Sequence, residues 1–149
     1  FGRPKVATFT APDQKFEIGK AWHIHEGNDV TIIATGHLVW EAVEAARELE
    51  AEGISVDLIN IHTIKPLDTE AIARSAMKTG KVITCEEHMI TGGLGSMVAQ
   101  VLAKQAPSVM EFIGVNDSFG ESGTPDQLME KYGLKAKNIF AAAKRLMED

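Results

Sequence analysis

The chain has 149 residues, of which 44% are hydrophobic and 24% charged, and its formal net charge is −6. This length and balance are typical of one globular domain and exclude an intrinsically disordered chain. A negative net charge without a basic run disfavours binding to nucleic-acid phosphates or to an anionic membrane surface. The single cysteine, Cys85, cannot form an internal disulfide, so the sequence favours a cytoplasmic over a secreted protein.

The N-terminal stretch differs from the rest of the chain. Residues 1–16 contain Pro4, Pro12 and a short polar run, which together predict an extended arm or linker from a preceding domain. Residues 17–149 are predicted to form the folded domain. Because the chain begins with Phe1 and shows no apolar signal-peptide segment, we expect it to be a piece of a larger protein.

Short apolar runs and segments with helical periodicity then alternate along the chain. The strands are predicted at 20–24, 30–34, 54–61, 81–85 and 109–115, and the helices at 38–52, 66–78, 94–104, 125–132 and from about 135 onward. This alternation predicts a three-layer α/β/α sandwich around a mostly parallel, five-stranded sheet. The turn at 26–29 indicates that the first two strands run antiparallel, so one strand should oppose the others.

A glycine-rich loop with two carboxylates, residues 86–95, follows the third strand of the alternating series. Ligands bind at such strand ends in open α/β sheets, and glycines let backbone amides approach an anion. The loop lacks the spacing of the dinucleotide and Walker A motifs, and its carboxylates would repel a phosphate. Two interpretations remain open: an anion or nucleotide site, and a tight connection packed against a neighbouring surface. Its candidate residues are Glu87, His88, Gly92, Gly93 and Gly95.

The histidines give no metal site. His23 and His25 alternate on the first predicted strand and are expected to point to the same face. A metal would need a third ligand, and the other histidines follow different strands with no spacing that joins them. Those other histidines are His37, His62 and His88.

One serine lies in a pattern that is close to a nucleophile elbow. Ser122 stands in the segment 120–124, but Thr124 occupies the place of the last glycine that this motif requires. Thr124 is instead predicted to cap a helix that begins at Pro125.

The remaining conspicuous side chains are expected to be structural. Cys85 lies inside a strand and is predicted to be buried and unreactive. Trp22 and Trp40 are predicted to be packing or interface anchors. We find no trio of nucleophile, base and orienting group, so the sequence predicts no catalytic residue.

Several short motifs occur in the order found in the C-terminal domain of the transketolase family, and together they cover about the whole chain. They are Phe16-Glu17-Ile18-Gly19-Lys20-Ala21, Asp29-Val30-Thr31-Ile32-Ile33-Ala34-Thr35-Gly36, Ile64-Lys65-Pro66-Leu67-Asp68, Glu86-Glu87-His88 with Gly92-Gly93-Leu94-Gly95, Phe119-Gly120-Glu121-Ser122-Gly123, and Glu130-Lys131-Tyr132-Gly133-Leu134. The chain therefore resembles this domain, and its last two motifs are closer to transketolase proper than to 1-deoxyxylulose-5-phosphate synthase or 2-oxo-acid dehydrogenase β subunits.

The resemblance implies a role within a larger enzyme of the pentose phosphate pathway. Transketolases use thiamine diphosphate, with magnesium or calcium, to move a two-carbon ketol unit between sugar phosphates. The family holds this cofactor between pyrimidine- and diphosphate-binding domains that precede the C-terminal domain, in a homodimer. This sequence contains neither of those domains, so the resemblance implies no catalytic, cofactor or metal residue here and no activity of the isolated chain. The resemblance also places the linker that leads into the domain at Arg3-Pro4.

Overall fold

The computed structural model describes residues 7–118 and 120–148. The strands are β1 (Trp22–His25), β2 (Val30–Ala34), β3 (Val56–Asn60), β4 (Lys81–Met89) and β5 (Val109–Val115). The helices are α1 (Leu38–Ala51), α2 (Thr69–Thr79), α3 (Leu94–Gln105), α4 (Pro125–Lys131) and α5 (Ala136–Glu148). The Arg3-Pro4 linker and Phe119, which belongs to one of the family motifs, lie outside the described residues.

The five strands form one sheet in the order β1-β3-β2-β4-β5. Strands β2, β3, β4 and β5 are parallel, and β1 runs antiparallel to β3. The predicted sheet with one antiparallel strand is therefore confirmed. The chain passes from β2 to β3 on one side and then to β4 on the other side of β2. The direction of winding thus reverses between β2 and β4, which is the usual place for a ligand cleft in this architecture.

The turn after β1 does not join hydrogen-bonded neighbours. Both edges of β2 are occupied by β3 and β4, so β1 pairs at the outer edge of β3 instead. To reach β2 the chain crosses closely over β3 at Gly27, where an added Cβ would lie 2.3 Å from the carbonyl carbon of Val56. A glycine at this point is what permits the crossing.

Helices cover both faces of the sheet and give the predicted three layers. On one face α1 packs against α5, and on the other α2 packs against α3. Alternate residues of each strand enter two separate cores, as Ile32 packs in the α1/α5 core and Ile33 in the α2/α3 core. None of the described helices combines the length and apolar character needed to cross a lipid bilayer.

A buried carboxylate joins the sheet to α2. Asp57 of β3 is fully buried and accepts a hydrogen bond from the Ser75 hydroxyl, and its Oδ1 lies 2.9 Å from Lys78 Nζ. The Gly27 amide donates to it across 3.2 Å, and His23 Nε2 lies 3.4 Å from Oδ2. Burial opposes ionisation, but these bonds outweigh it and hold the pKa of Asp57 well below its ordinary range. The ionised side chain is therefore a structural link between β1, β3 and α2.

Helix ends follow the local sequence signals. Thr124 caps α4 through a reciprocal capping box with Gln127, and Pro125 is the first helical residue, as predicted. Helix α2 begins at Thr69 rather than at Pro66, because Asp68 is its cap and accepts the Ala71 amide at 3.1 Å. The other oxygen of Asp68 accepts the amide of Ala21, so this cap also holds the segment that leads into β1.

The described part of the arm folds back onto the domain. Phe9 stacks on Trp22 with ring centroids 6.0 Å apart and lies 6.3 Å from Trp40. The Arg47 guanidinium lies 5.7 Å from the centroid of the Trp40 ring. The two tryptophans therefore act as packing residues that anchor the arm, which is one of the two roles predicted for them.

Candidate functional site

A cleft of about 360 Å³ opens at the C-terminal ends of β2 and β4, at the point where the winding reverses. Its walls are the loop before α1, the end of β4, the glycine-rich loop and the first turns of α3. The lining residues are Thr35, Gly36, His37, Ile64, Glu86, Glu87, His88, Gly92, Gly93, Leu94 and Met97. Four of the five candidate residues from the sequence thus meet at one cleft. Gly95 does not line it and is buried inside α3. The loop predicted at 86–95 is shorter in the structure, because β4 continues to Met89 and contains Glu87 and His88.

The amides at the start of α3 are already bonded to a carboxylate of the protein. Glu86 is buried, with 3% of its surface exposed, and its Oε2 accepts the Leu94 amide at 2.7 Å. Its Oε1 accepts the Gly95 amide at 2.8 Å. These donors and the positive end of the helix dipole are what a bound phosphate would use. The Glu86 carboxylate therefore occupies the position that an external anion would take.

The rest of the cleft is also a poor environment for a diphosphate. Glu87 is half exposed at the mouth, and its Oε2 lies 3.0 Å from Nδ1 of His37, although the angle does not make a hydrogen bond. A phosphate here would meet the charges of both Glu86 and Glu87 at close range. The residues lining this cleft consequently do not fit thiamine diphosphate. Nor do any three metal-ligating side chains come together for its metal within residues 7–118 and 120–148.

Two glycines allow the carboxylate to reach the helix. An added Cβ on Gly93 would lie 2.1 Å from Glu86 Oε2 and 2.5 Å from the Met89 carbonyl oxygen. An added Cβ on Gly95 would lie 2.8 Å from the Phe112 ring and 2.9 Å from the Thr84 hydroxyl. The pattern Gly93-Leu94-Gly95 therefore serves close packing around Glu86.

We expect Gly93→Ala to destabilise the domain by about 2 kcal/mol, because the methyl group must displace Glu86 from the α3 amides. Chemical denaturation of both proteins measures this difference. Gly120→Ala is the matched control, since a Cβ at Gly120 meets no atom within 4 Å and its φ is not left-handed. Equal stability of the two variants would show that Gly93 is not needed for this packing.

Cys85 precedes the site but cannot act as a nucleophile. It is completely buried, and this burial, together with the charge of Glu86, raises the pKa of its thiol far above the ordinary range. Thiolate is the reactive form of cysteine. We therefore expect no labelling of the native protein by a thiol reagent at pH 8 and one equivalent of labelling after unfolding; rapid labelling of the folded protein would contradict this assignment.

The prediction that His23 and His25 share one face is wrong. The register of β1 against β3 shifts between these two residues, so the simple alternation of a strand does not apply. His23 turns toward Asp57 on the α2 side of the sheet, whereas His25 Nδ1 lies 2.9 Å from a carboxylate oxygen of Glu50 in α1. The two imidazoles therefore have separate partners on opposite faces.

Sequence reasoning did not assign a role to Glu86 and did not find several other residues that line the cleft. These are Thr35, Gly36 and His37 after β2, Ile64 after β3 and Met97 in α3. A signal for the first three was available, since residues that directly follow two neighbouring parallel strands must lie at one edge. The bonds of Glu86 depend on the path of the loop between Met89 and Leu94, for which the sequence offers no comparable rule.

Comparison with known proteins identifies the domain. Residues 19–139 match the family model described as "Transketolase, C-terminal domain". The chain is 49% identical over 146 residues to the 6-deoxy-6-sulfo-D-fructose transketolase subunit SqwH of Clostridium sp. (strain MSTE9), covering 98% of this chain and 45% of that protein. It is 45% identical over 135 residues to the putative transketolase C-terminal section of Methanocaldococcus jannaschii, covering 90% of this chain and 41% of that one.

A solved structure agrees with this assignment. A split-gene transketolase, described as an inactive β4 tetramer, superposes with a TM-score of 0.91 at 46% identity and covers 96% of this chain. The match takes up 47% of that chain, so this chain spans less than half the length of each of these three relatives. The sheet order, the motifs and these matches agree: the chain belongs to the transketolase family and corresponds to its C-terminal domain.

Proposed function

We propose that this chain is the C-terminal assembly domain of a thiamine-diphosphate-dependent transketolase and is catalytically inactive by itself. The observation that carries the proposal is the occupied α3 terminus: Glu86 fills the site at which this fold would bind an anionic cofactor or substrate. Within the described residues, the cleft then offers no paired nucleophile and base. The family match and the partial coverage of longer relatives support a role as one part of a larger enzyme.

In the proposed enzyme the chemistry lies elsewhere. Bound thiamine diphosphate, with its metal ion, supplies the carbon nucleophile that carries the two-carbon ketol unit. We propose that the pyrimidine- and diphosphate-binding domains of the same enzyme hold the cofactor and are the partners of this domain. We also propose that the enzyme is a homodimer and is located in the cytoplasm. We propose residues 17–149 as the domain and residues 1–16 as the arm that connects it. The contribution of this domain is to complete the assembly.

Two assays test this proposal. The isolated chain, given xylulose 5-phosphate, ribose 5-phosphate, thiamine diphosphate and Mg²⁺, should show no ketol transfer. In the second assay, this chain replaces its matched segment in the full-length Clostridium subunit, and the rest of that enzyme is added. The chimera should support transketolase turnover of 6-deoxy-6-sulfo-D-fructose. Turnover by the isolated chain would contradict the absence of catalysis, and an inactive, unassembled chimera would contradict the assembly role.

The alternative is an anion- or nucleotide-binding regulatory module that uses the loop from Gly92 to Gly95. Its support is the position of the cleft at the reversal of winding. The bonds of Glu86 to Leu94 and Gly95 count against it, since they remove the two amides on which such a site would depend. Calorimetric titration with phosphate, ATP and ribose 5-phosphate separates the two: binding tighter than about 1 mM would favour the regulatory module.

A further inference from the structure

The two edge strands of the sheet differ in how well they are protected from pairing with another chain. The edge strand β1 has four residues and a register shift between His23 and His25. The other edge strand, β5, has seven residues, and Glu111 is its one charged residue. Short or irregular edge strands resist pairing with other chains, whereas a long apolar edge invites it. The fold therefore guards β1 and leaves β5 open.

Alternate residues of β5 direct their backbone groups away from the sheet. The amide of Val109 donates to the carbonyl of Gly80, 3.1 Å away and immediately before β4. Because backbone groups alternate in direction along a strand, the odd-numbered residues of β5 face β4 and the even-numbered residues face outward. In the part of the chain that the structure describes, β5 pairs with β4 alone, so the outward groups have no strand partner. They belong to Met110, Phe112 and Gly114.

A groove of about 210 Å³ lies along this outer edge. Phe112 is on the α3 side of the sheet, since its ring would lie 2.8 Å from a Cβ added to Gly95 of α3. Arg145 belongs to α5, which covers the opposite side. Both residues line the groove, together with Gly114. A groove with walls from both faces lies at the rim between them, so neither helix closes off the outer edge of β5.

We propose that two copies of this chain pair antiparallel through β5, across a twofold axis that passes beside Phe112. The outward backbone groups permit this register because they are placed symmetrically about that residue. Phe112 then exchanges two hydrogen bonds with its own copy, and Met110 does so with Gly114 of the other copy. The side chain of Val109, which is 56% exposed, comes to lie opposite Val115.

The charges beside β5 favour the same pairing. In this register Glu111 of each copy lies opposite Ile113 of the other. Arg145 Nη2 lies 3.1 Å from Glu111 Oε2, and Arg145 lines the groove beside Ile113. The Arg145 of each copy therefore approaches the Glu111 of the other, and four charges of alternating sign meet at the interface.

This complementarity of β5 with itself, in hydrogen bonds and in charge, identifies the occupant as a second copy. Pairing consumes the open edge of both copies and leaves only the guarded β1 edges, so the assembly closes at a dimer. The inference rests on the proposed assembly role and names one contact through which two copies meet.

Sedimentation of the isolated chain tests whether the dimer forms. The chain should pass from monomer to dimer between about 1 and 100 µM. Val109→Lys should weaken the dimer by about tenfold or more, because a charge is placed in the paired edge. Ile18→Lys is the matched control: this side chain, 73% exposed, precedes β1 at the opposite edge, and its substitution should leave the dissociation constant unchanged. A chain that stays monomeric at 100 µM, or equal effects of the two variants, would overturn the inference.

Amide exchange distinguishes β5 pairing from any other dimer. As the concentration rises, exchange of the Met110 and Phe112 amides should slow by about tenfold or more. The amides of Val109 and Glu111 face β4 and should be protected at every concentration. A dimer that leaves the exchange of Met110 and Phe112 unchanged would show that the copies meet elsewhere.

A charge exchange tests the register. Glu111→Arg or Arg145→Glu alone should weaken the dimer by about tenfold, because like charges then meet between the copies. A mixture of the two variants should form heterodimers more tightly than either variant forms homodimers, since opposite charges meet again. Melting temperatures of the dilute variants confirm that each chain is folded. Heterodimers no tighter than the homodimers would overturn the antiparallel register.

The outcomes also separate this inference from the proposed function. A chimera that turns over, built from a chain that remains monomeric, would overturn the β5 pairing and leave the assembly role intact. A chimera that neither assembles nor turns over, built from a chain that dimerises through β5, would overturn the proposed function and support the pairing.

Discussion

Replacing Glu86 by alanine should destabilise the domain by about 3–5 kcal/mol, because two hydrogen bonds to a charged acceptor are lost. The substitution leaves the amides of Leu94 and Gly95 without their acceptor in a buried position, and the positive end of the α3 dipole without its counter-charge. For a chain of this size the change corresponds to a fall in melting temperature of roughly 6–20 °C. Urea denaturation at pH 7 measures it.

Glu87→Ala is the matched control, since this neighbouring carboxylate is half exposed and bonds no amide of α3. Its cost should stay below about 1 kcal/mol. Glu86→Ala should also be partly rescued by formate, by about 1 kcal/mol at 0.1 M, because formate can occupy the vacated position between the amides. Chloride at equal ionic strength should have less effect. Equal costs for the two alanine substitutions would show that Glu86 is not an internal anion.

Replacing Asp57 by alanine should cost about 3–5 kcal/mol at pH 7, the usual effect of removing one partner from a buried ionic network. Ser75 and the amide of Gly27 would lose their acceptor, and Lys78 would lose its counter-charge. Asp13→Asn, at an exposed position of the arm, is the control and should change stability by less than about 0.5 kcal/mol. A cost for Asp57→Ala as small as this would contradict a structural role for the network.

The same carboxylate should contribute to unfolding in acid. The hydrogen bonds hold the folded-state pKa of Asp57 below the unfolded-state value of about 3.9, so the unfolded chain takes up the proton first. Its contribution is therefore complete above about pH 4 and is lost as the pH falls further. The stability difference between wild type and Asp57→Asn should shrink by about 1.4 kcal/mol per pH unit below about pH 4. A difference that is constant from pH 6 to pH 3 would contradict this linkage.

Much of the fold can be predicted because its signals are local. The alternation of apolar runs and helical periodicity defines ten elements, and the limits of β2 and β5 agree with the structure. Thr124 with Pro125 marks the start of α4, and Gly80 ends α2 in the left-handed conformation that favours glycine. Such signals depend on residues within one turn of each other, so no tertiary contact is needed to interpret them.

The errors concern contacts between residues distant in sequence. The turn at 26–29 indicates the direction of β1 but not its partner, which is decided by the occupation of both edges of β2. His23 and His25 face opposite sides because the register shifts where β1 meets β3, an event that strand periodicity cannot express. In each case pairing between strands overrides the local pattern.

The sequence by itself determined the fold class, the helix ends apart from the start of α2, and the position of the glycine-rich loop at a strand end, because each of these is set by short-range spacing and backbone preference. Only the tertiary structure decided what the loop does. The bonds of Glu86 to the α3 amides turn a possible anion site into an internal cap, and they require residues eight and nine positions apart to meet.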